Sequence, residues 1–328
     1  MKILVTGGLG FIGSHTCVEL INRKHRIVVA DNLSNSNIET LEKINKLTGV
    51  IPDFHQIDVT EESKLEQLFS KYDFDGLIHF AGYKAVGESV EKPLDYYYNN
   101  LVSTIKLSKM CLKYNVDKFV FSSSATVYGD NVSPLKEAME LQPTTNPYGE
   151  TKAVSERILK DTSFANSDFE VTLLRYFNPV GAHESGLIGE DPKGKPNNLM
   201  PYVSKVAKGE LDKLYVFGND YDTVDGTGVR DYIHVVDLAE GHVAAIENLN
   251  SGVNIYNLGT GKGTSVLEII NAFIKVNEVE VPYEIVGRRP GDIAISYADT
   301  KKAEKELNWK AKRNIEDMVR DSWRFELN

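Results

Sequence analysis

At 328 residues, 41% hydrophobic and 26% charged, the chain has the composition of a globular protein, with one large domain or two smaller ones and a core that needs no staples. A net charge of −10 argues against nucleic acid and against a membrane surface, which are held through basic patches, although a few local arginines could still hold an anionic small molecule. Cys17 and Cys111, the two cysteines, make neither a disulfide framework nor a metal-ligand spacing; no apolar run nears the ~20 residues of a membrane helix, no signal peptide fits ahead of the first strand, and the cytoplasm is the expected compartment.

The first strand, KILVTG (2–7), runs into TGGLGFIG (6–13) and then a helix, SHTCVELINRK (14–24). Two glycine patterns overlap there. Gly8, Gly10 and Gly13 read as G-x-G-x-x-G; Gly7, Gly10 and Gly13 read as G-x-x-G-x-x-G. Both follow a strand and open a helix, the context a dinucleotide fingerprint requires. Without a Cβ the backbone can approach a pyrophosphate, and the helix N-terminus faces its charge. The next strand, RIVVAD (26–31), ends in Asp31, 18 residues past Gly13. A carboxylate there accepts from a ribose 2′-hydroxyl and repels a 2′-phosphate, which favours NAD over NADP.

DFHQID (53–58) is a weaker strand that delivers Asp58 and Val59, and GLIHFAG (76–82) leads into FAGYK. Loops at strand carboxyl ends line the ligand crevice of such sheets, so Asp58, Ala81, Gly82 and Lys84 are placed to touch a cofactor. A helical pattern over 99–115 carries Leu101, Ile105, Leu107 and Leu112 on an apolar face. KFVFSSS (118–124) then brings the hydroxyls of SSSATVYG to the same crevice. In TNPYGETKAVSE (145–156) a helix starting near Pro147 puts Tyr148 and Lys152 on one face. An ammonium beside a phenol favours the phenolate and moves its pKa from ~10 towards the range of a general base. VTLLRYF (171–177) is the next strand. Strand–helix alternation predicts an α/β fold with a doubly wound parallel sheet over 1–177. From 178 to 201 Pro and Gly dominate and the segment reads as loop. Later strands are expected at 214–218, 253–259 and 282–286, within a smaller mixed domain over 178–328. Part of 219–270 is expected to pack back on the first domain.

Together TGGLGFIG, Asp31, HFAGYKAVGESV, SSSATVYG, Tyr148-x-x-x-Lys152 and RYFNPVGAH resemble the extended short-chain dehydrogenase/reductase family, which uses the G-x-x-G-x-x-G spacing. PNNLMPYVSKVAKG, FGNDYDTVDGTGVRDYIHVVDLA and YNLGTGKGTSV carry the likeness almost end to end, towards the family's sugar-nucleotide 4-epimerases. The resemblance implies a fold of the Rossmann type. It implies that NAD is tightly bound and regenerated in each turnover, that the substrate is a UDP-hexose, and that the chain forms a homodimer. By the same likeness, UDP-glucose and UDP-galactose interconvert through a 4-keto sugar. It also makes Tyr148, Lys152 and Ser124 catalytic: Tyr148 takes the 4-hydroxyl proton, Ser124 bonds the reacting oxygen, and Lys152 lowers the tyrosine pKa.

The same resemblance assigns NAD to Gly7, Gly10, Phe11, Ile12 and Gly13; to Asp31, Asn32, Leu33, Ser34, Asn35 and Ser36; to Asp58 and Val59; to Phe80, Ala81, Gly82, Tyr83, Lys84 and Asn99; and to Ser124, Tyr148, Lys152 and Phe177. The UDP-sugar falls to Ser124, Tyr148, Asn178, Asn198 and Leu199; to Tyr215, Val216 and Phe217 against uracil; to Arg230 and Arg289 on the pyrophosphate, a task that suits bidentate guanidinium groups; and to Asp292 on the uridine ribose. Ser296 stands where some members carry Tyr, which would leave room for a 2-acetamido group and predicts activity on UDP-GlcNAc and UDP-GalNAc as well. Arg230 could instead pair with Asp231. Gly8 becomes a permissive turn position, and Gly8→Ala is expected to matter less than Gly10→Ala. A related NAD-retaining dehydratase or decarboxylase is the alternative; dehydratases carry acidic residues after the hydroxyl residue, where this chain has Ala125 and Thr126. An idle NAD-binding regulator would predict a broken Ser–Tyr–Lys set, and the set is complete.

Overall fold

Seven parallel strands form the centre of the protein, described by a computed structural model at all residues except 195, 197 and 290. In chain order the first six are β1 (Lys2–Thr6), β2 (Arg26–Asp31), β3 (Asp53–Gln56), β4 (Gly76–His79), β5 (Lys118–Ser122) and β6 (Glu170–Tyr176). Across the sheet the order is Val253–Leu258, β6, β5, β4, β1, β2, β3, and every neighbouring pair is parallel. This is a Rossmann-type, doubly wound α/β fold. The strand order reverses between β1 and β4, and a ligand crevice opens at the carboxyl ends of strands at such a switch point.

The near-continuous apolar runs follow from helices covering both faces. Alternate residues of one strand enter different cores: Ile3 and Val5 pack with Cys17, Val18 and Leu20 of helix α1 (Phe11–Asn22), while Leu4 packs with Leu65, Leu77 and Phe119. Both cysteines are free and buried there.

Three differences from the sequence reading have simple causes. The apolar face expected at 99–115 is divided in the helix Pro93–Lys113: Leu107 is fully buried, but Ile105 and Leu112 face outward. The stretch 178–201 is not all loop. Asn178–Val180 pairs with Tyr232–His234 and a helix begins at Leu199; a three-residue ladder is too short to leave a period in the sequence. The strand over 76–82 ends at His79, because Phe80–Gly82 turn off the sheet into the crevice.

The later part of the chain adds a parallel pair, Leu214–Phe217 with Tyr283–Val286, and a small sheet of Val229–Arg230, Thr264–Ser265 and Ile295–Ser296. These enclose a separate core around Met200, Val216, Ile270 and Phe273. No helix among the described residues is long and apolar enough to cross a membrane.

Candidate active site

The glycine turn brings β1, α1 and β4 together. Gly7 has φ +69°, a left-handed conformation that favours glycine, and a Cβ there would fall 2.7 Å from the Ala81 nitrogen. Gly13 backs onto the Gly7 carbonyl, so helix and turn pack without a side chain between them. Gly10 differs: a Cβ there would meet only the Gly7 carbonyl oxygen, at 3.3 Å. Gly10 also caps α1 without any side-chain hydrogen bond, so the helix N-terminus is open to the crevice. Gly8, by contrast, is not permissive. Its Cβ would lie 2.9 Å from Val29 Cγ1 and 3.2 Å from Val5 Cγ1.

Asp31 ends β2 with its carboxylate already ordered. It accepts from Leu9 N (3.1 Å), Leu33 N (2.9 Å) and Ser36 Oγ (2.7 Å). Asp58 accepts from Asn32 Nδ2 and from both donors of Thr60. Burial pushes its pKa up, but the Thr60 and Asn32 hydrogen bonds outweigh it and hold the group below the usual range. The loop after β4 is tied down by Asn100, which accepts from Tyr83 N (2.8 Å) and donates to Tyr83 O and Thr151 Oγ1.

One long cavity runs along this edge. It is lined by Gly7, Gly10, Phe11, Ile12 and Gly13, by Asp31, Asn32, Ser34, Asn35 and Ser36, by Asp58 and Val59, by Phe80 to Lys84, and by Asn99, Tyr148 and Lys152. Three residues expected in it are not in its lining. Leu33 packs against the core beside α1. Phe177 is buried with Val127 and Tyr128. Ser124 is buried beside the cavity, its hydroxyl accepting from Thr126 N and Thr126 Oγ1 and its presence favouring the Tyr148 phenolate. The sequence reading passed over Ala30, Ile57, Ser122 and Tyr176, which sit at strand ends and could have been found by the same switch-point rule. It also passed over Glu190, Asp191 and Pro192, which a loop distant in sequence folds across the crevice with no local signal.

Tyr148 and Lys152 lie on the helix Pro147–Ala165, whose start is set by Asn146 accepting from Gly149 N (2.9 Å) and by Pro147 in the first turn. They are one turn apart and both buried. Burial pushes the Tyr148 pKa well above its ordinary value; the neighbouring Tyr176 acts the same way, while Ser124 and the charge of Lys84 act against it. The Lys84 ammonium, from the loop after β4, thus favours the phenolate as well. Lys152 Nζ donates to Ser122 O (2.7 Å) and stands 4.7 Å over the Phe121 ring. Burial lowers its pKa to about 8, opposed by Glu156. Glu156 in turn is buried against Arg175, with bonds of 2.9 and 2.6 Å, and accepts from Ser123 Oγ. This buried network braces the Ser122–Ser124 corner, with Arg175 Nη1 left as its one unpaired donor.

A second cavity of about 490 Å³ adjoins the chain just beyond Tyr176, within the ~300–1,000 Å³ typical of small-molecule sites. Asn178, Asn198, Leu199, Tyr215, Val216, Phe217, Arg230, Arg289 and Asp292 line it. Strand alternation exposes Tyr215 and Phe217 and turns Val216 into the core, so Val216 offers the cavity little beyond backbone. Arg230 does not pair with Asp231. It donates to Val229 O (2.9 Å), while the Asp231 carboxylate is taken by Thr260, Gly261 and Ala298. Arg289 and Asp292 grip each other at 2.8 Å. Ser296, paired in register with Arg230, is buried and lines neither cavity.

Residues 3–259 match the family model described as the NAD dependent epimerase/dehydratase family. The chain belongs to that family. Its cofactor is NAD. A UDP-glucose 4-epimerase of Bacillus subtilis is 58% identical over 329 residues, covering 99% of this chain and 97% of that protein. Among solved structures, UDP-glucose 4-epimerase from Bifidobacterium longum in complex with NAD⁺ and UDP superposes with a TM-score of 0.97 at 54% identity, covering 100% of this chain and 98% of that one. The UDP-Glc/GlcNAc 4-epimerase of Campylobacter jejuni matches with a TM-score of 0.86 at 38% identity, covering 99% of both chains.

Proposed function

We infer that the chain is an isomerase, an NAD-dependent 4-epimerase that interconverts UDP-glucose and UDP-galactose through a 4-keto sugar. The observation that carries this reading is the buried Tyr148 phenol on the wall of the first cavity, where Ser124 and Lys84 both favour its ionised form, with Asn178, two residues past Tyr176, on the wall of the second. The first cavity suits a dinucleotide: Gly10 leaves the helix N-terminus open to a pyrophosphate, and Asp31 offers carboxylate lone pairs to a ribose. Gly7, Gly10, Asp31 and Asp58 would hold NAD, which supplies reversible hydride acceptance when bound.

The chain's own residues do the rest. Tyr148 holds and returns the proton of the sugar 4-hydroxyl, and Ser124 hydrogen-bonds the same oxygen. Arg230 and Arg289 grip the pyrophosphate, Tyr215 and Phe217 flank uracil, and Asn178 and Asn198 border the sugar and phosphates. A firmly held UDP leaves the keto sugar free to present its other face. The dehydratase alternative lacks support, since Ala125 and Thr126 carry no acid; Thr126 Oγ1 only donates to Ser124 Oγ (2.9 Å).

This reading places the nucleotide part at 1–177 and the UDP-sugar part at 178–328, with part of 219–270 on the first; the strand Val253–Leu258 at the sheet edge supports the last point. It includes a homodimer, supported by Leu94, Tyr98, Ile105 and Leu112 exposed along one face of the helix Pro93–Lys113. Two reduced thiols suit a cytoplasmic setting.

The test is conversion of UDP-galactose with no NAD added. UDP-glucose should appear, and Tyr148→Phe should lose roughly 10²–10⁴-fold in rate; full activity in that variant would sink the reading. Activity on UDP-GlcNAc belongs to the same proposal; Ser296 is buried beside Arg230 and lines neither cavity, so its small size would act from behind the wall of the second cavity. Ser296→Tyr should remove it selectively, and wild-type protein inert towards UDP-GlcNAc would end that part.

A further inference from the structure

The loop between the strand Asn178–Val180 and the helix at Leu199 carries a carboxylate with no role so far, Glu190. Its position is fixed from both sides. Ile188 is buried in the core, and a Cβ on Gly189 would fall 2.5 Å from the Phe325 ring, so this loop sits flat on the C-terminal helix Ile315–Leu327 only because residue 189 has no side chain. Further on, Lys193 Nζ donates to Leu33 O (2.7 Å), next to Asp31. Between these anchors a single Glu190 oxygen, Oε1, accepts from Lys84 Nζ at 2.9 Å and from Asn198 Nδ2 at 2.5 Å. The Glu190 side chain is 9% exposed, so these charge-assisted bonds are shielded from water on the carboxylate side and stronger than an ordinary surface pair.

The two donors belong to different cavities. Lys84 lines the first, at the end where its charge reaches the Tyr148 hydroxyl. Asn198 lines the second. Glu190 outweighs the effect of burial on Lys84 and keeps that ammonium charged.

We propose that Glu190 is a positioning residue that couples the two cavities, so that a uridine diphosphate in the second tightens the hold on the dinucleotide in the first. The coupling rests on the reading of the first cavity as the NAD site and the second as the UDP-sugar site. A ligand that restrains Asn198 restrains the shared oxygen, and through it Lys84 at the reactive end of the NAD cleft. Linkage makes the effect reciprocal: NAD strengthens UDP binding by the same factor.

The experiment tracks release of NAD from the loaded protein after dilution, with and without UDP, in the wild type, Glu190→Gln and Asn198→Leu. UDP should slow release from the wild type roughly tenfold, within the usual range for coupled sites. In both variants the UDP effect should shrink to less than about twofold, with melting temperatures near that of the wild type. A purely structural role would instead speed release equally with and without UDP. Asn198 also borders the UDP-sugar, so its variant is read at UDP concentrations that a titration shows to saturate it; should Glu190→Gln fail to fold, Asn198→Leu then decides alone, since it cuts the same link from the substrate side. A wild type with no UDP effect, or a Glu190→Gln protein with the full one, overturns the proposal. Turnover of UDP-galactose, measured in parallel, separates the two readings: UDP-dependent NAD retention without UDP-glucose formation would sink the epimerase and leave the coupling standing.

Discussion

At the scale of single residues, the chemistry turns on how a phenol becomes a base. Tyr148 is held protonated by burial, with Lys84 and Ser124 pulling the other way. The ultraviolet difference titration between wild type and Tyr148→Phe should therefore show no extra phenolate below about pH 10 in NAD-free protein. Lys84→Met should push the Tyr148 ionisation higher still, and extra phenolate at neutral pH would contradict the reading. The identity of Tyr148 and Lys152 was legible in their spacing of four. The reach of Lys84 to the same phenol was not, because Lys84 comes from the loop after β4 and only the folded sheet puts it beside the helix Pro147–Ala165.

At the scale of elements, the glycine turn separates two kinds of constraint. Gly13 and Gly8 are required by the protein itself: a Cβ on Gly13 meets the Gly7 carbonyl, which cannot move, and one on Gly8 meets two valine side chains. A Cβ on Gly10 meets only the Gly7 carbonyl oxygen, so in the proposed reading its main constraint is what approaches from outside. Gly13→Ala should therefore lose about 1–3 kcal/mol of stability or fail to fold, through overpacking, and Gly8→Ala should lose less because side chains can shift. Gly10→Ala should keep the melting temperature of the NAD-free protein and bind NAD more weakly. Thermal melts and NAD titration of the three variants check this; a Gly10→Ala protein with unchanged NAD affinity would contradict it. The turn and its helix were readable from strand, glycine spacing and Asp31. The demand on Gly8 was not, since it comes from Val29 on a neighbouring strand.

At the scale of the whole molecule, three histidines are buried within the α/β core and kept neutral. Burial lowers His15 and His79 to about 3 and His242 to about 4. Each folded value lies below the unfolded value of ~6.5, so between the two the unfolded chain binds more protons and stability falls as pH falls. From these groups alone the protein should be at full stability above about pH 6.5 and lose roughly 1–2 kcal/mol per histidine by pH 5. Melting temperatures across the range from about pH 7.5 to about pH 4.5 measure it, and a flat profile there would show that the histidines titrate normally.

The sequence by itself determined the parallel sheet, the dinucleotide turn, the preference for NAD and the shared helix face of Tyr148 and Lys152, because each is written in local signals: apolar runs, glycine spacing, a strand-end acid, a helical repeat of four. Only the tertiary structure decided that Lys84 charges the site, that Arg230 is free of Asp231, that Ser296 lies behind the cavity walls, and that Glu190 joins the two cavities. Those facts depend on residues far apart in the chain meeting at the ends of strands and in one long loop, and no local pattern encodes such a meeting.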